Sequence, residues 1–329
     1  MLARELRTPR ERALFTVSVI VSALCWLAVV VSLVAIPPAA VLILLALAAH
    51  RLFMARIIGD GVRVGPRQLP DLMRRIEAAA HKLGMERVPE AYVVQRGARR
   101  RVFATKMFSR RIIVISSSLL EIDDDDDDGG GRAGELDFII GQTLGGLATG
   151  QVAARPYLLP ARAVPLLGPA YARACAYTRD RCGHLVTGDL DASSRALAIL
   201  AAGVGAARRI DLDALVDQRR ETRRFWMAVR ELGAGQPFVS KRVAALRARH
   251  GQTTLPPARR NPLAYLFAPF LGVVAGSPQS ALLIALIALG IAIGAAIHRM
   301  KEQWGAGSMP PGPTYHFDSD KDPFVAPDR

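Results

Sequence analysis

The stretch Phe138-Ile-Ile-Gly-Gln-Thr-Leu-Gly-Gly146 decides how the chain is read. Its apolar residues belong to a 3.6-residue period, which predicts a buried helix over residues 135–153. The period is carried by Leu136, Ile139, Ile140, Thr143, Leu144 and Leu147. Gly141, Gly145 and Gly146 each cost about 1 kcal/mol relative to alanine in an exposed helix, so packing must hold this helix together. A closely approaching neighbouring helix would make use of these glycines.

The segments around this stretch predict one domain over residues 60–255, mainly α with a small β-sheet. Before it, residues 69–83 repeat apolar side chains at helical spacing and stop at Gly84. Three short β-rich runs follow, at 91–94, 102–105 and 111–116, and predict the sheet. After it, we expect helices at about 172–186, 190–203, 211–232 and 239–249.

Both ends of the chain contain long apolar runs. Leu14–Ile36 holds no charged residue, and a second run extends to Met54, so residues 14–54 predict a transmembrane hairpin. Residues 1–13 are basic, as is the far end of the second run, and both are expected on the cytoplasmic side. A cleavable signal peptide is the alternative, but the first run is longer than a usual signal sequence and a second run follows.

Residues 262–298 predict a C-terminal membrane region, either a hairpin or a single span. Ser280–Ile297 is a strong candidate span, whereas Pro262–Gly276 is short and contains Pro269. The weaker run fits a tilted span, a re-entrant segment or an interfacial helix. The proline-rich tail, residues 302–329, is expected to be disordered.

The formal net charge of +14 fits apposition to anionic lipid, and no basic motif interleaved with aromatics points to nucleic acid. Cys25, Cys175 and Cys182 have no paired spacing, which fits reduced thiols. The loop 123–131 runs six aspartates into three glycines and is expected to be solvated. A calcium site there is the sharper alternative, but the run lacks ligands at alternating positions.

Several blocks together resemble the HtpX-like and CAAX-prenyl-protease-like membrane zinc metallopeptidases, which are gluzincins, over residues 50–250. In chain order these blocks are Pro89-Glu-Ala-Tyr-Val-Val, Val102-Phe-Ala-Thr, Arg111-Ile-Ile-Val-Ile-Ser-Ser-Ser-Leu-Leu-Glu121, Phe138–Gly146, Ala176-Tyr-Thr-Arg-Asp180 and Pro237-Phe-Val-Ser-Lys-Arg-Val-Ala-Ala-Leu246. The family reads F-V-I-G-H-E-L-G-H at the fourth block and E-Y-x-A-D at the fifth. The resemblance therefore implies a gluzincin-like peptidase domain.

The same resemblance implies that the zinc ligands and the general base have been replaced. Gln142 and Gly146 stand where the family has its two histidines, and Ala176 stands at its third metal ligand. Thr143 occupies the position of the glutamate that accepts a proton from zinc-bound water. Asp180 is the residue retained from around the family's zinc site. A replacement metal site would have to use Asp180 with side chains such as those of Cys175, Cys182 and His184.

We therefore expect a membrane-bound pseudo-peptidase of the bacterial inner membrane, with a cytoplasmic domain and no cofactor where the family has zinc. Its role would be non-catalytic binding or scaffolding. Its partners would be the lipid bilayer and a membrane protein or unfolded chain in the former groove, with no nucleic acid. An active zinc metalloendopeptidase acting on membrane or misfolded proteins is the main alternative, and a purely structural membrane protein is a third.

Overall fold

The computed structural model describes residues 2–32, 36–95, 102–107, 110–120, 122, 133–252, 260–274 and 299–300. The chain is mainly helical with one small mixed sheet, as the sequence predicts. Before the loop region the elements are α1 (Leu2–Glu5), α2 (Pro9–Val31), α3 (Ile36–Asp60), β1 (Val62–Arg63), α4 (Pro70–Lys82), β2 (Glu90–Val94), β3 (Val102–Met107), β4 (Arg110–Ser116) and a 3-10 turn (Ser117–Leu119).

After it, the described elements are α5 (Ala133–Ala148), α6 (Gln151–Ala154), α7 (Leu159–Ala163), α8 (Leu167–Thr187), α9 (Leu190–Ala202), α10 (Val204–Ala207), α11 (Leu212–Asp217), a 3-10 helix (Gln218–Arg223), α12 (Phe225–Gly233), α13 (Val239–Arg249) and α14 (Leu263–Val274). The loop 123–131, the span Ser280–Ile297 and the tail 302–329 lie outside the described residues.

The sheet has the strand order β1-β2-β4-β3, and its two inner strands, β2 and β4, are buried on both faces. Strands β2 and β4 are parallel, and the other pairings are antiparallel. On one face Ile113 and Ile115 join the main helical core, whereas on the other Ile112 and Val114 pack with Met54 of α3. Burial on both faces explains why the sequence of β4 is a continuous apolar run.

Two helix boundaries differ from the sequence-based expectation. The predicted helix 135–153 ends at Ala148, because Gly150 has φ +77° and starts the separate α6. The predicted helix 211–232 is wrong as a single element: it divides into α11, a 3-10 helix and α12. In the 3-10 part the hydroxyl of Thr222 donates to the carbonyl of Arg219, and Arg224 is extended. Such local bonds compete with a continuous helix.

Among the residues that the structure describes, two helices are long and apolar enough to cross a membrane, Pro9–Val31 and Ala39–Asp60. Many of their apolar side chains are exposed, among them Ile20, Leu24, Leu44 and Leu45. Length and composition alone are weak evidence for a span, but the exposed side chains belong to the face that lipid would cover.

Polar side chains on one face of α2 form hydrogen bonds to residues 151–178. At its base, the carboxylate of Glu11 is 1% exposed and accepts hydrogen bonds from Thr178 and, at 3.0 Å, from Gln151. Further along, the Ser22 hydroxyl accepts from the Ala161 backbone at 3.2 Å. The Trp26 ring nitrogen donates to the Tyr157 carbonyl at 3.4 Å. Polar side chains at this spacing lie on one helix face and fix how α2 is held.

Helix α14 packs on α12 rather than standing alone. Ala264 and Ala268 are buried against Ala228, Val229 and Leu232. The 12 described residues of this helix rise about 18 Å, which is less than the roughly 30 Å of a bilayer core. Leu266 remains exposed, whereas the partly exposed ring of Phe267 contacts the ring of Phe225 of α12, with the centroids 5.8 Å apart.

A buried ion cluster joins α12, α13 and the segment before α14. The side chain of Glu231 is 0% exposed and pairs with Lys241 at 2.5 Å and with Arg260 at 3.0 Å. Burial alone would raise the pKa of Glu231, but the hydrogen bonds and charges of Arg260 and Lys241 outweigh it and lower the pKa below 4.5. The cluster therefore favours the ionised carboxylate.

A carboxyl with a lowered pKa stabilises the fold fully above its ordinary pKa, and this stabilisation is lost as the pH falls through the folded value. We expect Glu231→Gln to reduce the free energy of unfolding by about 3–5 kcal/mol near neutral pH. The difference from the wild type should shrink at acid pH. Denaturant unfolding of the detergent-solubilised protein at the two pH values measures it. Glu221→Gln, which removes an exposed pair with Arg224, should cost about 1 kcal/mol or less. A Glu231→Gln effect independent of pH would contradict the assignment.

Candidate functional site

Helices α5 and α8 approach each other closely through glycines. A Cβ added at Gly141 would lie 2.6 Å from Val186, and one at Gly145 would lie 2.5 Å from the Cβ of Cys182. From the opposite side, a Cβ at Gly183 would lie 2.7 Å from the Phe138 carbonyl oxygen. The glycines of the quoted stretch are therefore used for close packing, with Gly146 as the exception. A Cβ there would be 3.4 Å from Arg179 and 3.5 Å from Val152, which is ordinary contact or close to it.

This packing brings Gln142 of α5 against Asp180 of α8. The Gln142 amide nitrogen donates to Asp180 Oδ1 at 2.7 Å. Arg242 of α13 donates to the same carboxylate through two nitrogens, Nε to Oδ2 at 2.9 Å and Nη2 to Oδ1 at 2.6 Å. Asp180 and Arg242 are both buried, so the two-pronged pair neutralises a carboxylate that would otherwise be costly to bury.

The other positions singled out by the sequence lie on the same two helices. The Thr143 hydroxyl donates to the Ile139 carbonyl at 2.8 Å, so it is engaged within its own helix. Ala176 is 1% exposed on α8. Gly146 is one turn beyond Gln142 and contributes no side chain.

Arg179 fills space beside these positions. Its side chain passes Gly146, with the Cδ atom in the contact just described. Its Nε is buried, and within the described part of the chain it has no hydrogen-bond partner. Burial lowers the pKa of Arg179, and the neighbouring charge of Arg242 lowers it further. A guanidinium remains charged at physiological pH, so a fixed cation stands next to the place where the resemblance puts the second zinc ligand.

The residues at the three implied ligand positions do not fit zinc. Catalytic zinc takes imidazole, thiolate or carboxylate groups from three protein side chains. Here one position holds an amide whose nitrogen is committed to Asp180, and the other two hold Gly146 and Ala176.

The side chains considered for a replacement metal site are poorly suited to bind a metal ion. His184 Nδ1 lies 3.0 Å from the Ser193 hydroxyl. The imidazole rings of His184 and His250 are in contact, with their centroids 4.3 Å apart. Burial raises the pKa of the Cys175 and Cys182 thiols to about 12, and a metal binds the thiolate, not the thiol. Among the described residues, no group of three or more His, Cys, Asp or Glu is placed to hold a metal ion.

Comparison of the chain with protein-family models, with curated proteins and with solved structures gave no match in any of the three. Three residues missed at the sequence level shape this site: Arg179, Arg242 and Glu11. Two of them lie in the quoted blocks: Arg179 stands where the resemblance has the alanine of E-Y-x-A-D, and Arg242 stands where it has the arginine of the closing block. Nothing in the basic N-terminal segment indicates that Glu11 is buried.

The helix contact predicts opposite effects at two adjacent glycines. Gly145→Ala should destabilise the protein by about 1–3 kcal/mol or more, because the new methyl group overlaps Cys182. Gly146→Ala should be neutral or stabilising by up to about 1 kcal/mol, because it removes the helix cost of glycine without a clash. Chemical denaturation followed by circular dichroism compares the two variants directly. Equal effects would rule out the close contact at Gly145.

Proposed function

We propose that this chain is a membrane-bound pseudo-peptidase of the HtpX-like gluzincin type, acting as a non-catalytic binding or scaffold protein. Its place would be the bacterial inner membrane, with the domain formed by residues 60–255 on the cytoplasmic side. The groove that a peptidase would use for its substrate would hold a membrane protein or an unfolded chain.

One observation carries the proposal: side chains of the chain itself fill the space beside the positions where the resemblance puts the first and second zinc ligands. The Gln142 amide is bonded to Asp180, and the Arg179 cation packs against Gly146. A cation next to a divalent metal is repelled, and each 1.4 kcal/mol of repulsion weakens binding about tenfold. These contacts between α5 and α8 support the proposal of a peptidase-like frame that lacks the chemistry of a zinc site.

Two further observations support the proposal. Asp180 bonds to the residue at the first ligand position, which is what a residue orienting that ligand would do. The helices Pro9–Val31 and Ala39–Asp60 are both able to cross a membrane and both continue into contact with the domain, through Glu11 and Met54.

Metal analysis and a cleavage assay on the full chain in detergent test the absence of catalysis. We expect substoichiometric zinc and no chelator-sensitive cleavage of casein, because the ligand set lacks imidazole and carboxylate groups. An HtpX-like enzyme with an intact H-E-x-x-H motif, purified in the same way, is the positive control. Stoichiometric zinc together with chelator-sensitive cleavage would favour an active zinc metalloendopeptidase and overturn the proposal.

Rebuilding the site tests the helix frame itself. The fourfold variant Gln142→His, Thr143→Glu, Gly146→His and Ala176→Glu restores the implied ligands and base but keeps Arg179. Adding Arg179→Ala removes the cation, and we expect this fivefold variant to bind zinc about tenfold more tightly or better. Isothermal titration with zinc measures both affinities, and Arg179→Ala alone is the control.

Folding of each variant is checked by circular dichroism before titration. A folded fivefold variant that does not bind zinc would show that these positions are not a ligand frame. Equal affinities of the fourfold and fivefold variants would show that Arg179 does not oppose the metal.

A further inference from the structure

A basic cavity of about 310 Å³ lies where the base of α2 meets α8 and α13. Its volume is at the lower end of the roughly 300–1,000 Å³ typical of small-ligand sites. Among the described residues it is lined by six arginines: Arg10, Arg173, Arg181, Arg242, Arg249 and Arg260. Asp180 is the single carboxylate in this described lining, and Thr8 and Tyr177 supply hydroxyl groups. This set of side chains suits an anion.

Within the described part of the chain, the positive charge of this cavity is only partly neutralised. Arg242 pairs with Asp180, and Arg260 pairs with Glu231 behind the wall. Arg173 donates to three backbone carbonyls at the end of α12, those of residues 231, 232 and 234. Among the residues that the structure describes, neither Arg10 nor Arg249 has a hydrogen-bond or carboxylate partner. Both side chains are exposed at the rim of the cavity.

The pKa values of two arginines in the cavity also favour a bound anion. The pKa of Arg173 is lowered to about 10 by burial and then by the charge of Arg260, although Glu231 opposes this and Arg10 adds to it. The pKa of Arg181 is lowered by burial and then by Arg249. Cations that disfavour one another's charge would gain from a bound anion.

The location narrows the kind of anion. Helix α2 begins at the cavity, with Pro9 in its first turn and the Thr8 hydroxyl accepting from the Glu11 backbone at 3.0 Å. The positive end of the helix dipole therefore adds to the arginines. From Arg10 to Leu14, where the uncharged run starts, the helix rises only about 6 Å. A head-group layer is roughly 5–7 Å thick, so the cavity lies at the level of lipid phosphates if α2 crosses the membrane.

We propose that this cavity binds a phosphoryl group, using Arg10, Arg249 and the guanidinium groups at its floor. Arginine is suited to this because its planar fork donates two parallel hydrogen bonds to phosphate oxygens. An anionic phospholipid head group and a free phosphate compound present the same chemistry to these side chains. The proposal stands whether or not the neighbouring helices once held zinc.

Two binding experiments on the full chain separate the two sources. Native mass spectrometry of detergent-solubilised protein with phosphatidylglycerol measures lipid retention, with zwitterionic phosphatidylcholine as the comparison. Thermal unfolding in phosphatidylcholine nanodiscs with inorganic phosphate, against chloride at equal ionic strength, measures free phosphate binding.

Two altered cavities make the result specific. Arg10→Gln/Arg249→Gln removes two exposed cations at the rim, and Ala245→Trp blocks the entrance from an exposed position without changing charge. Each should weaken binding of the phosphatidylglycerol or phosphate probe by about tenfold or more. Arg67→Gln/Arg230→Gln makes the same change in net charge at exposed positions that do not line the cavity, and should leave binding unchanged.

Retention of phosphatidylglycerol alone would identify a lipid site, and a shift with inorganic phosphate would identify a site open to free phosphate; either result supports the proposal. If neither probe binds, or if the cavity variants bind as well as the charge-matched control variant, the proposal is overturned. All variants are compared by circular dichroism, so a loss of binding is scored only in folded protein.

Discussion

The close contact between α5 and α8 is the constraint on which the rest of the structure depends. Gly141, Gly145 and Gly183 let the two backbones approach at distances that would not admit a Cβ. This contact carries Asp180 into the interior next to Gln142. A buried carboxylate must be neutralised, and Arg242 of α13 does this. The position of α13 is thus linked to a contact between two helices, α5 and α8, that lie well before it in the chain.

The periodic features of the sequence predict the parts of the fold that burial alone determines. Leu136, Ile139 and Ile140 are buried as the helical period requires, and the apolar run ending at Ser116 forms the central strand β4. The division of residues 211–232 into three elements could not be foreseen, because it depends on local side-chain to backbone bonds such as that of Thr222. No glycine or proline marks the breaks.

The polar contacts of the candidate site lie beyond what a single sequence predicts. The partners of Asp180 are 38 and 62 residues away in the chain, and no local pattern selects them. Glu11 belongs to a segment whose composition predicts only a basic, solvated end, yet it is buried against Thr178. Burial of one carboxylate joins the first candidate membrane helix to α8, so helix and domain are held in one arrangement. A count of charges treats Glu11 as one more surface carboxylate, whereas its buried hydrogen bonds hold α2 against α8.

The buried Asp180–Arg242 ion pair could serve either stability or the orientation of side chains. Buried ion pairs contribute little net stability compared with well-packed apolar side chains, so stability alone does not account for this one. What the pair does provide is orientation: it fixes the carboxylate that holds the Gln142 amide, and its arginine forms part of the floor of the basic cavity. One pair therefore borders both the packed helix contact and the cavity at the base of α2. A ligand that draws on Arg242 would compete with Asp180 for the same guanidinium.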